Sequence, residues 1–311
     1  GRPAVLIRSF GWLILAIMAA FLVSNLLNLM AGYSGLSDGE PVIIALYLAA
    51  IVAALLYVFR DRNVALRYDA TRIHAFNVFL IRACFWTVFL TGLADITIAF
   101  MRTENLLDGL FSQQMITDLG RPLFVGAYVH FPVMLIGIVM ALFTRTLGFT
   151  WLALLIVGAE LLIVLSRFIF SYEQAFMSDL VRYWYAALFL FSSAYTLFDE
   201  GHVRVDVFYA GLQNRTKGFV NGIGTILLGI TTCWVIIIIG FNGKSAIINS
   251  PLVNVEVSQS GSVGMYIKYQ MAAFLGIFAI TMMIQFVSYL FEACADAREE
   301  PGKREVAAIA H

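Results

Sequence analysis

Charge is scarce in this chain. Only 13% of its 311 residues are Asp, Glu, Lys or Arg, whereas 61% are hydrophobic. Soluble domains hold about 25% charged and about 45–50% apolar residues, so a soluble fold is excluded. The formal net charge of zero carries no signal for nucleic acid, and none is expected as a partner. Cysteine is scarce too. Cys84, Cys233 and Cys294 are far apart, form no Cys-x-x-Cys and have no metal-ligand spacing; they read as small core residues, with no metal and no cofactor. Strict period-2 alternation over ten-residue segments is missing, which argues against an outer-membrane barrel. There is no nucleophile elbow, no His-Glu-x-x-His, no Walker loop and no pair of buried carboxylates, so no catalytic residue is assigned and no enzyme activity is expected. No internal repeat is apparent. Nor do two Gly/Pro-broken helices fall in matching positions, the usual pointer to a midplane substrate site. The sequence starts at Gly1 rather than Met, so a few residues are expected to precede it. No cleavable signal is expected, because 7–30 is long enough to span and no small-residue cleavage pattern follows it.

What the chain has in abundance is long apolar runs. They predict an all-α integral membrane protein, because an isolated segment in hydrocarbon must satisfy its own backbone. Eight transmembrane helices are expected, at 10–32, 41–59, 74–101, 122–143, 149–170, 181–198, 218–241 and 265–291. The loops alternate in charge. Arg2, Arg8, Arg60, Arg62, Arg67, Arg72, Arg145, Arg204, Arg215, Lys217, Arg298, Lys303 and Arg304 fall on one side. Arg102, Arg121, Arg167, Arg182, Lys244 and Lys268 fall on the other, diluted over longer loops. The positive-inside rule places the first set, and both termini, in the cytoplasm, which requires an even number of spans.

Three segments outside the spans have patterns of their own. In 103–120 the apolar residues Leu106, Leu107, Leu110, Phe111, Met115, Ile116 and Leu119 form a helical stripe, predicting one amphipathic helix on the outer surface, with Thr103 as a cap and Gly120-Arg121-Pro122 as its stop. Val253, Val255 and Val257 alternate with Asn254, Glu256 and Ser258, predicting an extended stretch over 252–258. Gly218-x-x-x-Gly222 permits close helix approach, although glycine is common in membrane helices anyway.

The densest polar chemistry lies at 199–207, Asp-Glu-Gly-His-Val-Arg-Val-Asp-Val, between two apolar runs. If extended, it has one polar and one apolar face. If helical, Glu200–Arg204 and His202–Asp206 are four apart and can pair. Surface pairs of that kind contribute only about 0.3–0.5 kcal/mol, so the plain reading is a solvated, structured cytoplasmic loop. Within the spans, Glu160 sits mid-helix, where an ionised group costs about 2.5–3.5 kcal/mol. It is read as protonated, paired or facing another helix; an ion-coupling role would need a cluster. Arg82 and Asp95, 13 apart and each near a helix end, read first as snorkelling groups and second as partners of other helices. His130 beside Pro132 predicts a kink with a local polar partner. His74 and His130 lie at different depths, which disfavours paired haem ligation.

From about residue 146 onward the pattern resembles the small membrane subunit of tripartite ATP-independent periplasmic (TRAP) transporters. The resemblance is carried by Ser166-Arg167-Phe168-Ile169-Phe170 closing one span, by Ser178-Asp179-Leu180-Val181-Arg182 before the next, and by Glu200-Gly201-His202-Val203-Arg204-Val205-Asp206 after it; Ser250-Pro251 resembles a family Ser-Pro before the last span. The family's motif often separates the Gly and His that are adjacent here, and its four-span pattern has no counterpart for 1–145. The expected organisation is therefore an extra module of about four spans over 1–145 and a four-span, scaffold-type module over 146–311.

The resemblance implies an accessory subunit in the bacterial inner membrane. Its partners would be a large carrier subunit and a periplasmic solute-binding protein, in an ion-driven, commonly sodium-coupled, importer of organic anions. It also assigns Arg167, Asp179, Arg182, Glu200, Gly201, His202, Arg204 and Asp206 to a partner interface or scaffold. The alternatives are a structural subunit of another multi-chain membrane assembly built on the same module, and a stand-alone carrier or channel.

Overall fold

The computed structural model describes residues 2–33, 36–145, 149–199, 207–257 and 261–303. Among them there is no strand. The helices are α1 (Arg2–Ala31), α2 (Pro41–Arg60), α3 (Leu66–Thr103), α4 (Gln113–Leu119), α5 (Pro122–Phe143, with a π turn at Gly126–His130), α6 (Phe149–Phe170), α7 (Ala175–Phe198), α8 (Val207–Ala210), α9 (Asn214–Gly240, with a π turn at Thr225–Ile230), α10 (Asn249–Asn254) and α11 (Lys268–Ala297). Seven of these, α1, α2, α3, α5, α6, α9 and α11, are long and apolar enough to cross a membrane. The chain is an all-α integral membrane protein. Helix α7 has 24 residues, a reach of about 36 Å at 1.5 Å per residue. Ser178, Asp179 and Arg182 in its first turns dilute its hydropathy.

Several helices outrun the spans drawn from hydropathy. Helix α3 starts at Leu66 rather than 74 and runs for 38 residues, about 57 Å, against a hydrocarbon thickness of about 30 Å. Charged residues mark where the hydrocarbon ends; they do not end a helix. Helix α1 stops where Gly32 takes φ 70° and its N–H returns to Asn28 O at 3.1 Å, a left-handed cap that glycine adopts without steric cost.

Two predicted segments are corrected. The single amphipathic helix over 103–120 is instead a 3-10 turn (Leu106–Gly109) followed by the short α4. Asn105 adopts φ 55° and breaks the run. Ser112 then starts a new helix, its hydroxyl accepting from Met115 N–H at 3.4 Å; such local caps compete with helix continuation. Leu107 and Leu119 are buried with Ile98, Val125 and Tyr266, so only part of the stripe is outward. The extended stretch over 252–258 is helical through Asn254, with Pro251 in the first turn, where its missing N–H costs nothing. Val255 then turns at φ 44°.

By contact density the chain divides into two compact units. The first takes Gly1–Asn77, Ala194–Ala246 and Ala279–His311. Its polar core is an ion pair with both members buried, Arg8 Nε to Asp69 Oδ2 at 2.7 Å. Trp12 Nε1 also donates to that oxygen at 3.0 Å, and Arg8 reaches Asp61 O. Arg67 fastens the end of α11, meeting Glu292 at 2.5 Å and Asp296 at 2.7 Å and donating to Glu300 O and Pro301 O. At Gly218 the backbones of α9 and α11 approach so closely that any Cβ would collide with Ala293 and Ala297.

The second unit takes Val78–Ser193 and Ile247–Phe278. In it α3 and α5 meet at Gly137, where a Cβ would lie 2.7 Å from the Thr87 backbone. Helix α7 buries a stripe at Phe176, Leu180, Tyr183, Trp184, Ala187 and Phe191, the 3–4 spacing of one helical face. Phe191 packs edge-on against both Phe85 and Phe274.

Candidate functional site

The second unit contains a buried polar chain drawn from four helices. Asp95 comes from α3, His130 from the π turn of α5, Tyr183 from α7, and Tyr269 and Gln270 from the first turn of α11; all five are nine-tenths or more buried. His130 Nε2 lies 3.1 Å from Asp95 Oδ1, and His130 Nδ1 lies 2.8 Å from the Tyr269 hydroxyl. Gln270 Nε2 donates to the same hydroxyl at 3.0 Å, and the Tyr183 hydroxyl donates to Gln270 Oε1. The donors run in one direction without conflict when His130 is neutral and protonated on Nε2: Tyr183 to Gln270, Gln270 to Tyr269, Tyr269 to His130, His130 to Asp95. That tautomer follows from the partners. A satisfied network of this kind rigidifies a core that a partly satisfied one would weaken.

The network also fixes the entry to α11. The second carboxylate oxygen of Asp95 accepts from Tyr266 N–H at 2.7 Å, and Asp179 accepts from Met265 N–H at 3.1 Å. These N–H groups precede the first turn of a helix, where no intrahelical carbonyl is available to them. Arg102 donates to Gly264 O at 2.7 Å and lies 4.2 Å over the Tyr266 ring, while the Tyr266 hydroxyl reaches Gly120 O at 3.0 Å. Gly264–Ile267 is thus held by two acids and one arginine on three sides.

Arg82 has a different role. It donates to Ala141 O at 3.4 Å and to Thr144 O at 2.5 Å, placing a cation on the open carbonyls at the end of α5, where the helix dipole favours it. Trp86 Nε1 adds a bond to the Thr144 hydroxyl at 2.8 Å. The snorkelling reading of Arg82 and Asp95 is therefore corrected: both take protein partners, and Asp95 is 1% exposed. The partners of His130 come from α3 and α11 rather than from its own helix, and its helix deforms by a π turn directly before Pro132.

The remaining predicted residues are spread out. Asp179 is buried and bonded as above. Arg167 makes an exposed ion pair with Glu173 at 3.3 Å. Arg182 is exposed on α7. Glu160 is exposed on α6 and has no hydrogen-bond or ion-pair partner among the described residues. Glu200, Gly201, His202, Arg204 and Asp206 lie outside the described residues. Sequence reading missed Tyr183, Tyr266, Tyr269, Gln270 and the Arg67 cluster. In sequence Arg8 and Arg67 read only as loop charges. Among the described residues, no three of His, Cys, Asp and Glu converge as metal ligands would.

Helix α6 differs from the other long helices. Among its described side chains only Leu152 and Ile156 are buried, and Val157, Leu161, Leu162, Val164, Leu165 and Phe168 are all exposed. An apolar surface is ordinary where lipid is the solvent; a carboxylate in its middle is not.

Residues 154–294 match the family model described as tripartite ATP-independent periplasmic transporters, DctQ component. No curated protein and no solved structure matches the chain. The match takes in α7 to α10 and most of α6 and α11, and the buried chain ties α7 and α11 to Asp95 and His130, which lie outside it.

Proposed function

We propose that this chain, whose residues 154–294 match the DctQ component of TRAP transporters, is the accessory, non-catalytic scaffold subunit of an ion-driven importer. In this reading it sits in the inner membrane with both termini in the cytoplasm and holds the large carrier subunit, while a periplasmic binding protein delivers the solute. Coupling is to sodium and the solute is an organic anion. Residues 1–145 act as an added module that braces the family portion through Asp95 and His130.

The observation that carries the scaffold role is the uncovered face of α6 with Glu160 at its centre. A carboxylate facing lipid mid-span costs about 2.5–3.5 kcal/mol. A helix of the large subunit that offers a hydrogen-bond donor at that depth would relieve the cost, and Val157, Leu161 and Val164 would complete an apolar seam around it. The test is co-purification in gentle detergent. Wild type should bring down one much larger multi-span polypeptide, and Glu160→Leu should release it while leaving this chain folded. Retention of the partner by Glu160→Leu would remove α6 as the docking helix. Solute flux in liposomes holding this chain alone would overturn the accessory role.

A further inference from the structure

In the first unit a groove of about 760 Å³ lies between α1, α9 and α11. Its walls are apolar: Ile7 from α1, Phe219, Ile223 and Ile226 from α9, and Leu290 and Cys294 from α11. Its mouth is charged, with Arg215 from the first turn of α9 and Arg298 and Glu299 just past the end of α11. The floor includes Gly222, where an added Cβ would meet only Leu290, at 3.9 Å. The spacing along α9 is informative. Gly218 brings α9 against the α11 backbone, and one turn later Gly222 has no side chain to fill the gap, so the helices touch at the mouth and part below it.

Arg298 is engaged by Glu300 at 2.7 Å. Arg215 is exposed and makes no hydrogen bond or ion pair with any described residue. A guanidinium with no partner among the described residues, at the charged end of an apolar slot between membrane helices, matches a phosphate carried on an acyl chain: the slot takes the chain and the fork-shaped cation takes the phosphate oxygens. Basic pockets of this kind between membrane helices bind lipid head groups. A soluble anion would gain nothing from the apolar walls, and an apolar peptide helix would leave Arg215 without a counter-charge.

We propose that this groove is a phospholipid site, with an acyl chain lying against Phe219, Ile223 and Leu290 and the phosphate held at Arg215. Arg298 is paired with Glu300, so the phosphate falls to Arg215, and Glu299 suits a headgroup that also carries an ammonium. The site does not depend on the transporter reading; it needs only a membrane-embedded chain.

The experiment uses the full chain, purified in mild detergent from bacterial membranes and examined by native mass spectrometry for bound phospholipid. Wild type should retain one phospholipid per chain through washing. Arg215→Gln should reduce the retained fraction about tenfold, and Arg215→Lys should restore part of it. Gly222→Leu should abolish retention by filling the slot, while Gly222→Ala, whose added carbon meets ordinary contact, should retain the lipid and so report a fold unaffected by the change. In membranes, a photoreactive residue at Ile223 should label phospholipid. Equal retention by wild type, Arg215→Gln and Gly222→Leu would overturn the proposal, as would a label from Ile223 that goes to another polypeptide.

Discussion

Arg8 and Asp69 show what a single pair of residues contributes in this chain. Both are withdrawn from solvent; Trp12 adds a second donor to Asp69 Oδ2 and the Asp61 carbonyl accepts from Arg8, while Asp69 Oδ1 has no hydrogen-bond partner among the described residues. Removing one member leaves the other as an unpaired buried charge, so Asp69→Ala should lower stability by about 3–5 kcal/mol. Replacing both with residues of similar volume, Arg8→Met with Asp69→Leu, should recover most of that loss, because the desolvation cost disappears with the pair. Thermal unfolding in detergent reads both variants. Asp95→Ala acts differently, since it strips acceptors from His130 and from Tyr266 N–H at once. At about 1–3 kcal/mol for each buried group left unmet, it should destabilise the protein and loosen the entry to α11. Faster hydrogen exchange at Tyr266 in the variant than in wild type, with Met265 still held by Asp179, is the specific readout.

Polar residues were visible in the sequence, but their partners were not. Asp95 and His130 stood out because each interrupts an apolar run. Nothing local says that His130 meets Tyr269, 139 positions away, or that Asp95 takes an N–H 171 positions away. Tyrosine and glutamine at 269 and 270 read as ordinary residues of a span edge. Arg82 was assigned to the interface by its distance from the helix end, and that logic ignores the free carbonyls that a neighbouring helix terminus presents.

At the scale of elements, hydropathy located the helices well and their ends poorly. Helix α6 was predicted with the bounds it has, because its apolar run stops where the helix stops. Helices α3 and α11 continue into charged sequence, where hydropathy loses sight of a helix held by contacts such as Arg67 with Glu292 and Asp296. The stripe in 103–120 had the right period but not the continuity, since Asn105 and Ser112 break it with local backbone geometry. Glycine positions carry a further prediction. Gly218→Leu must push α9 away from α11 and should prevent the folded chain from accumulating, whereas Gly224→Ala, with open space around the added carbon, should be neutral. Expression with a fluorescent fusion and size-exclusion elution measures both.

At the scale of the whole molecule, the family portion was legible because short motifs recur at fixed places relative to spans, and the match over 154–294 agrees with where those motifs lie. The way the chain interleaves into two units was not legible, since three stretches distant in sequence make up the first and two make up the second. The proposed scaffold role rests on docking of a larger membrane subunit along α6. The direct measurement is photocrosslinking in living membranes, with a reactive residue placed in turn at Val157, Leu161 and Val164 around Glu160. Each position should capture the same large multi-span polypeptide, and Glu160→Leu should abolish the capture. Labelling of lipid alone at all three positions, in cells where the transporter is active, would contradict it.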